Sequence, residues 1–276
     1  MPLTQRLSRL LKYASAENRF LELNQKHQTA ALHSLKIFPS NSIYTFIPKN
    51  ACSTMRLSLA IANCCIPDAS YFDWIHSNNN TFRASLQDLV CAQYTFVILR
   101  DPFARLASCF LDKIVAKAFP AQQLKQLANM QIELDDITFA EFVNQLADPS
   151  TRAGNMHWRP QVDFLVYDRY DSYFSFENLG AMAAVIEDRA GLKIVDARSL
   201  TAHGVDRYDL MPESTDHSRT PVKEIARLKQ DGVCPHPRSL YTKTIIEQIS
   251  DFYADDIKLY TDEIGPSPFI RTPFPG

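Results

Sequence analysis

Two cations stand where the sequence turns from strand into helix. Lys49 comes shortly after the β-rich run Ser42-Ile-Tyr-Thr-Phe-Ile47, and the loop Asn50-Ala-Cys-Ser-Thr54 leads from it into a helical pattern. Ligands of open parallel sheets gather beyond the C-terminal strand ends, where helices begin. The N–H groups of such a first turn can cradle an anion. Ser53 and Thr54 add hydroxyl donors, Lys49 adds a mobile point charge, and the small Ala51 permits close approach where a P-loop would use glycine. Arg100 ends a second, uncharged run, Tyr94-Thr-Phe-Val-Ile-Leu99. Asp101 is a good N-cap there and Pro102 a good first helical residue. Ser108 follows Arg100 by eight positions, two turns into that helix. Helical side chains lean toward the N-terminus, so Arg100 and Ser108 could clasp one phosphate, with Arg105 and Lys113 adding positive potential. A solvated loop lysine and an ordinary capped helix start are the plainer roles open to the same residues. Their occurrence together at two strand ends favours a phosphorylated ligand.

The rest of the composition narrows the chemistry. All seven glycines fall at or after Gly154, which excludes a Walker A loop or a GxGxxG fingerprint in the half that carries both cations. Neither HExxH nor GxSxG occurs. Six cysteines form no CxxC pair and no zinc spacing. They read as reduced, mostly buried thiols in a cytoplasmic setting, and no metal site is expected. With 29 basic against 31 acidic residues the net charge is −2. Nucleic acid is therefore not an expected partner, and an anion site must be built locally. No stretch reaches the roughly 20 apolar residues of a membrane span. Met1 to Lys12 is amphipathic rather than signal-like.

The pattern predicts an α/β fold with a central, mostly parallel sheet flanked by helices, in a single domain over 1–276. Residues 1–36 read as one or two surface helices within an N-terminal helical segment, 1–40. Strands are predicted at 42–47, 71–75, 94–99, 164–167 and 171–176. Helices are predicted from Ser53, over 82–92, from Pro102 to about Ala118, in two segments within 121–147, over 178–190 (stopped by Gly191) and over 240–260. Residues 201–238, rich in Pro, Ser, Asp and His, read as a long irregular segment.

At these places the sequence resembles the sulfotransferase superfamily, in the variant of the Golgi carbohydrate sulfotransferases. Pro48-Lys-Asn-Ala-Cys-Ser-Thr-Met-Arg56 looks like its 5′-phosphosulfate loop. Ile98-Leu-Arg-Asp-Pro-Phe-Ala-Arg-Leu-Ala-Ser108 looks like its 3′-phosphate motif. Thr138-Phe-Ala-Glu-Phe142, His157-Trp-Arg-Pro-Gln161 and Phe176-Glu-Asn-Leu179 resemble further family segments in family order. The resemblance covers about residues 42–190. It implies a P-loop-kinase-like sulfotransferase fold and 3′-phosphoadenosine 5′-phosphosulfate (PAPS) as donor, with no metal required. It also implies in-line sulfuryl transfer to a hydroxyl of a carbohydrate or glycolipid. Lys49, Asn50, Ala51, Cys52, Ser53 and Thr54 would receive the phosphosulfate, with Lys49 stabilising the leaving oxygen. Arg100 and Ser108 would hold the 3′-phosphate, and Phe176 would stack on adenine. The Golgi relatives' membrane anchor, and their cysteine pair after the Trp-x-Pro-Gln segment, have no counterpart here. Phe164-Leu-Val-Tyr-Asp168 occupies the latter stretch, which implies a soluble, bacterial version.

The acceptor hydroxyl needs a base, and histidine titrates near neutrality. His76, between the two loops, occupies the position the superfamily often uses; His157 is the second candidate. His27, His33, His203, His217 and His236 read as surface residues. Trp74, Trp158 and Tyr208 suit sugar rings or core packing equally. Two alternatives stand beside the sulfotransferase: a nucleotide-dependent phosphotransferase, and a non-catalytic anion-binding domain on the same fold.

Overall fold

The computed structural model of the protein describes residues 9–14, 19, 22, 24–78, 80–201, 204–205 and 207–270. In chain order the elements are α1 (Gln25–Leu32), β1 (Ser34–Ile37), β2 (Ser42–Thr45), α2 (Cys52–Ala62), α3 (Trp74–Ser77), α4 (Leu86–Cys91), β3 (Thr95–Leu99), α5 (Pro102–Cys109), α6 (Phe119–Leu127), α7 (Phe139–Gln145), α8 (Pro149–Ala153), β4 (Ser172–Ser175), α9 (Leu179–Ala190), β5 (Asp209–Leu210), α10 (Val222–Gln230), β6 (Val233–Cys234), α11 (Lys243–Phe252) and α12 (Ala254–Glu263). They sort into two compact units, Met1–Leu99 with Gln161–Ala202, and Arg100–Pro160 with His203–Gly276.

The first unit is built on a four-stranded sheet of order β1-β2-β3-β4. β1 and β2 pair antiparallel, whereas β2–β3 and β3–β4 are parallel. Every residue of β2 and of β3 is buried, as expected of central strands covered on both faces. Tyr44, Phe96 and Ile98 face a core that also holds Met55 and Leu59 of α2 and Met182 and Ile186 of α9. Val97 and Leu99 alternate to the other face. The parallel register, Thr45 opposite Val97, makes β2 and β3 end on the same side of the sheet. Lys49 therefore follows one strand end, and Arg100 is the next residue after the other.

The second unit packs helices around its own core, which includes Phe103, Phe110, Phe139, Phe142, Trp158 and Tyr253. Its first helix, α5, starts at a fully buried carboxylate. Asp101 Oδ1 accepts the N–H groups of Phe103 (2.9 Å) and Ala104 (3.3 Å). Its Oδ2 accepts the Ser267 hydroxyl and the Phe269 N–H. The Phe269 ring lies parallel to that of Phe103 at 6.4 Å. One side chain thus caps α5 and docks the segment that follows α12. After Cys109 the helix widens into a π-helical turn, Phe110–Ile114. Lys229 Nζ donates to the Leu111 carbonyl there, at 2.8 Å.

Several sequence expectations are corrected. Ser34–Ile37, read as the end of a surface helix, is the edge strand β1. Residues 71–75 are helical rather than extended: Asp68 caps a 3₁₀ turn at Ala69–Tyr71, and α3 follows. Residues 164–167 make only an isolated bridge, Leu11 to Tyr167. Within 201–238 lie α10 and a short parallel pairing of β5 with β6. The single closing helix is two, α11 and α12, interrupted at Tyr253. Three of the six free cysteines, Cys64, Cys65 and Cys91, are exposed rather than buried. No helix among the described residues is long and apolar enough to cross a membrane. The amphipathic start falls largely on residues 1–8, outside the described residues.

Asp101→Ala removes a helix cap and strands buried donors from the tail. Loss of about 2–4 kcal/mol is expected, measured as a lower urea midpoint at unchanged slope.

Candidate functional site

The loop after β2 has a backbone suited to an anion. Lys49 (φ 74°) and Ala51 (φ 58°) are left-handed, while Asn50 between them is not. Alternation of this kind turns successive N–H groups toward one concavity. Asn50 spends its own N–H on the Ile47 carbonyl, 3.2 Å away. Its fully buried side chain donates to Ile98 O (2.8 Å) and to Gln161 Oε1 (2.6 Å). Asn50 therefore fastens the loop to the end of β3 rather than reaching outward. Ala51 is the N-cap of α2 and gives it no side-chain cap. The first intrahelical bond is Met55 N–H to Ala51 O, so the N–H groups of Cys52, Ser53 and Thr54 form the open first turn. Thr54 Oγ1 accepts from Ala197 N at 3.2 Å, which leaves its single hydroxyl hydrogen as the donor it can offer. One turn on, Ser58 Oγ holds Val195 N at 2.9 Å, so the 195–197 strand of chain is pinned along α2. The Arg56 guanidinium sits 4.5 Å from the Phe46 ring centre, and burial lowers its pKa.

The second unit carries the other cation-bearing junction. Arg100 and Ser108 are both half-buried, at the entrance and in the second turn of α5. Arg105 differs from its sequence reading. It is 1% exposed, and its guanidinium donates to Arg159 O (2.8 Å) and Met156 O (3.3 Å). Burial lowers its pKa, and Asp256, itself buried, opposes that shift. Its guanidinium is engaged in fixing the 156–159 loop. Lys113 is paired with Asp112 at 3.2 Å.

That loop holds the His157-Trp-Arg-Pro-Gln161 segment. Trp158 is fully buried, which settles its two open readings in favour of core packing. Its indole donates to Thr151 O (2.9 Å), and its carbonyl accepts the Tyr253 hydroxyl (2.6 Å). Burial pushes the Tyr253 phenol far up. With Trp158 as anchor, the half-buried His157 lies beside Asn155, whose Oδ1 is 2.8 Å from the His157 N–H and 2.9 Å from Nδ1. His76 is placed quite differently. It is exposed near the end of the four-residue α3, edge-on to Phe72 at 5.1 Å. Phe176 opens a 3₁₀ turn beside the core of the first unit and is half-buried. The remaining histidines are less superficial than the sequence suggests: His27 and His217 are buried, and burial lowers the pKa of both. His203 lies outside the described residues. A cleft of about 340 Å³ between α1 and α4 contains no residue of either cationic loop. Among the described residues no group of three or more His, Cys, Asp or Glu is arranged to hold a metal.

Sequence reasoning missed Gln161, Asn155 and Gln123 as site-building residues. Gln161 was visible as the last residue of a quoted segment, but its partner lies 111 positions away.

The sulfotransferase family profile matches residues 33–261, and the chain belongs to that family. It is similar to carbohydrate sulfotransferase 14 of Danio rerio, 25% identical over 191 residues, which cover 60% of this chain and 50% of that protein. The match thus spans about half the length of this relative. No solved structure matches the chain.

The left-handed Ala51 gives a direct test of the loop. Ala51→Gly should leave the thermal midpoint within a few degrees, because easier backbone geometry offsets the entropy of glycine. Ala51→Val should cost about 1–3 kcal/mol by chemical denaturation.

Proposed function

We propose that the protein is a PAPS-dependent carbohydrate O-sulfotransferase, acting on a hydroxyl of a carbohydrate or glycolipid. The observation that carries this reading is the α2 start, where Lys49 and an uncapped first turn follow a left-handed backbone. The family and the printed name of the Danio rerio relative supply the class of reaction. The donor is anionic at both ends, and each cationic junction suits one end. Lys49, the N–H groups of Cys52, Ser53 and Thr54, and the hydroxyls of Ser53 and Thr54 take the phosphosulfate. Asn50 and Ala51 shape that turn. Arg100 and Ser108 take the 3′-phosphate, and Phe176 offers a ring to the adenine.

In the reaction, the acceptor oxygen attacks sulfur opposite the 5′-phosphate. A new S–O bond forms as the S–O bond to the phosphate breaks, and adenosine 3′,5′-bisphosphate leaves. The acceptor's proton passes to an imidazole, His76 or His157. As in phosphoryl transfer, positioning and charge stabilisation at the leaving oxygen carry most of the rate. Lys49 supplies the second of these, and the mechanism calls for no metal. The six free thiols suit a cytoplasmic enzyme.

Isothermal titration with adenosine 3′,5′-bisphosphate tests the donor site. Arg100→Ala should bind it about 10- to 100-fold more weakly, the equivalent of one lost charge-assisted contact. Lys49→Ala should lose about 10²–10³-fold in turnover, read as transfer of labelled sulfuryl across an array of desulfated glycosaminoglycans, glycolipids and simple glycosides. Unchanged binding and turnover in both folded variants would sink the assignment. Binding of ATP with Mg²⁺ in place of the sulfonucleotide would point to a phosphotransferase instead.

A further inference from the structure

The second unit contains a chain of two carboxamides that ends on His157, and its polarity is fixed from both ends. Gln123 of α6 donates through Nε2 to the Gly154 carbonyl at 3.1 Å. A carbonyl can only accept, so Gln123 turns its Oε1 the other way, where it receives Asn155 Nδ2 at 2.7 Å. At the far end, the His157 backbone N–H can only donate, and it meets Asn155 Oδ1 at 2.8 Å. Both anchors give Asn155 the same orientation. Its Oδ1 is therefore an acceptor for the ring nitrogen Nδ1, 2.9 Å away, which must carry the hydrogen. The neutral imidazole is then the Nδ1–H tautomer, with its basic lone pair on Nε2.

Packing holds the chain in place. Asn155 is 6% exposed. A Cβ on Gly154 would stand 2.4 Å from the end of the Leu127 side chain of α6 and 3.1 Å from Ser150 O, so a larger residue there would require Leu127 to turn away. Arg105 and Tyr253 hold the carbonyls of Met156, Trp158 and Arg159 on either side of the ring. His76 stands exposed on a single turn of helix, edge-on to Phe72.

We propose that His157 is the general base of the transfer, accepting the acceptor's proton at Nε2, and that Asn155 and Gln123 are positioning residues that set its tautomer and aim. The inference rests on the sulfotransferase reading and assigns the base within it. Other charged groups surround this loop. Arg105, Arg152 and Arg159 each donate to backbone carbonyls. Asp148 caps α8, Lys125 on α6 pairs with Glu133, and Asp256 lies near Arg105. The acceptor at Nδ1 is the neutral Asn155.

Two measurements test the proposal, the first independent of any acceptor. In protein labelled with ¹⁵N at histidine, long-range proton–nitrogen spectra should show His157 with Nδ1 protonated and Nε2 of the unprotonated type. In Asn155→Leu that pattern should weaken. The second is the pH profile of labelled sulfuryl transfer to the best acceptor of the array. His157→Ala should lose at least about 10²-fold in kcat, while adenosine 3′,5′-bisphosphate binding stays within about twofold. Asn155→Asp, which sets a carboxylate against Nδ1, should move the acid limb of kcat up by about one pH unit. A merely structural role would lower the rate without moving the limb. An Nε2–H tautomer in the parent protein overturns the proposal. So does a kcat that survives in His157→Ala and collapses in His76→Ala. A protein with the expected spectrum that binds no adenosine 3′,5′-bisphosphate overturns the sulfotransferase reading itself, and the role of base falls with it.

Discussion

The first turn of α2 is the constraint from which the rest of the first unit follows. A helix that begins without a side-chain cap leaves several N–H groups directed at whatever occupies the space ahead of it. Such a terminus is tolerable only if the loop before it is held rigidly, since otherwise the turn would fray. Asn50 does this from inside, with both of its amide hydrogens placed on fixed acceptors at Ile98 and Gln161. From outside, the hydroxyls of Thr54 and Ser58 grip the chain at 197 and 195. The buried parallel pair β2–β3 gives this arrangement its floor.

The second unit solves a related problem with opposite polarity. Its loop between α8 and the Trp-x-Pro-Gln segment presents carbonyl groups to a crowded interior, and these need donors. Arg105, Tyr253 and the Trp158 indole supply or use them in turn. A guanidinium buried to this extent is stable because two carbonyls and a nearby carboxylate share its charge. The same residue type thus does unlike work at neighbouring positions. Arg100 stands at a helix entrance with part of its surface open, whereas Arg105, one turn later, belongs to the core.

Much of the fold was legible because periodicity reports burial. The uncharged run before Arg100 could hardly be anything but a central strand, and the Thr138–Glu141 capping box starts α7 as its spacing predicts. The errors have local causes. β1 was hidden because Lys36 interrupts its apolar pattern to pair with Asp88. The aromatics at 71–75 carry strand propensity, but a capped turn at Asp68 set the chain into helix first. For the site, the cationic junctions were visible in residue type and spacing. What stayed invisible was the partnership of amides far apart in sequence: neither Asn50 with Gln161 nor Gln123 with Asn155 leaves a periodic trace. Burial was misjudged for Arg105 and left open for Trp158, since an amphipathic side chain reads alike in sequence whether its polar end meets water or a carbonyl.

The carboxylate of Asp101 has one further implication. Because a single side chain both starts α5 and receives Ser267 and Phe269, undocking of the final segment and fraying of that helix are thermodynamically linked. A protease that clips the chain just before Ser267 would thus be felt at the neighbouring Arg100, although the cut falls 166 residues downstream of Asp101. The docking of Ser267 and Phe269 thus serves as a built-in reporter of how firmly the Arg-Asp-Pro junction is held.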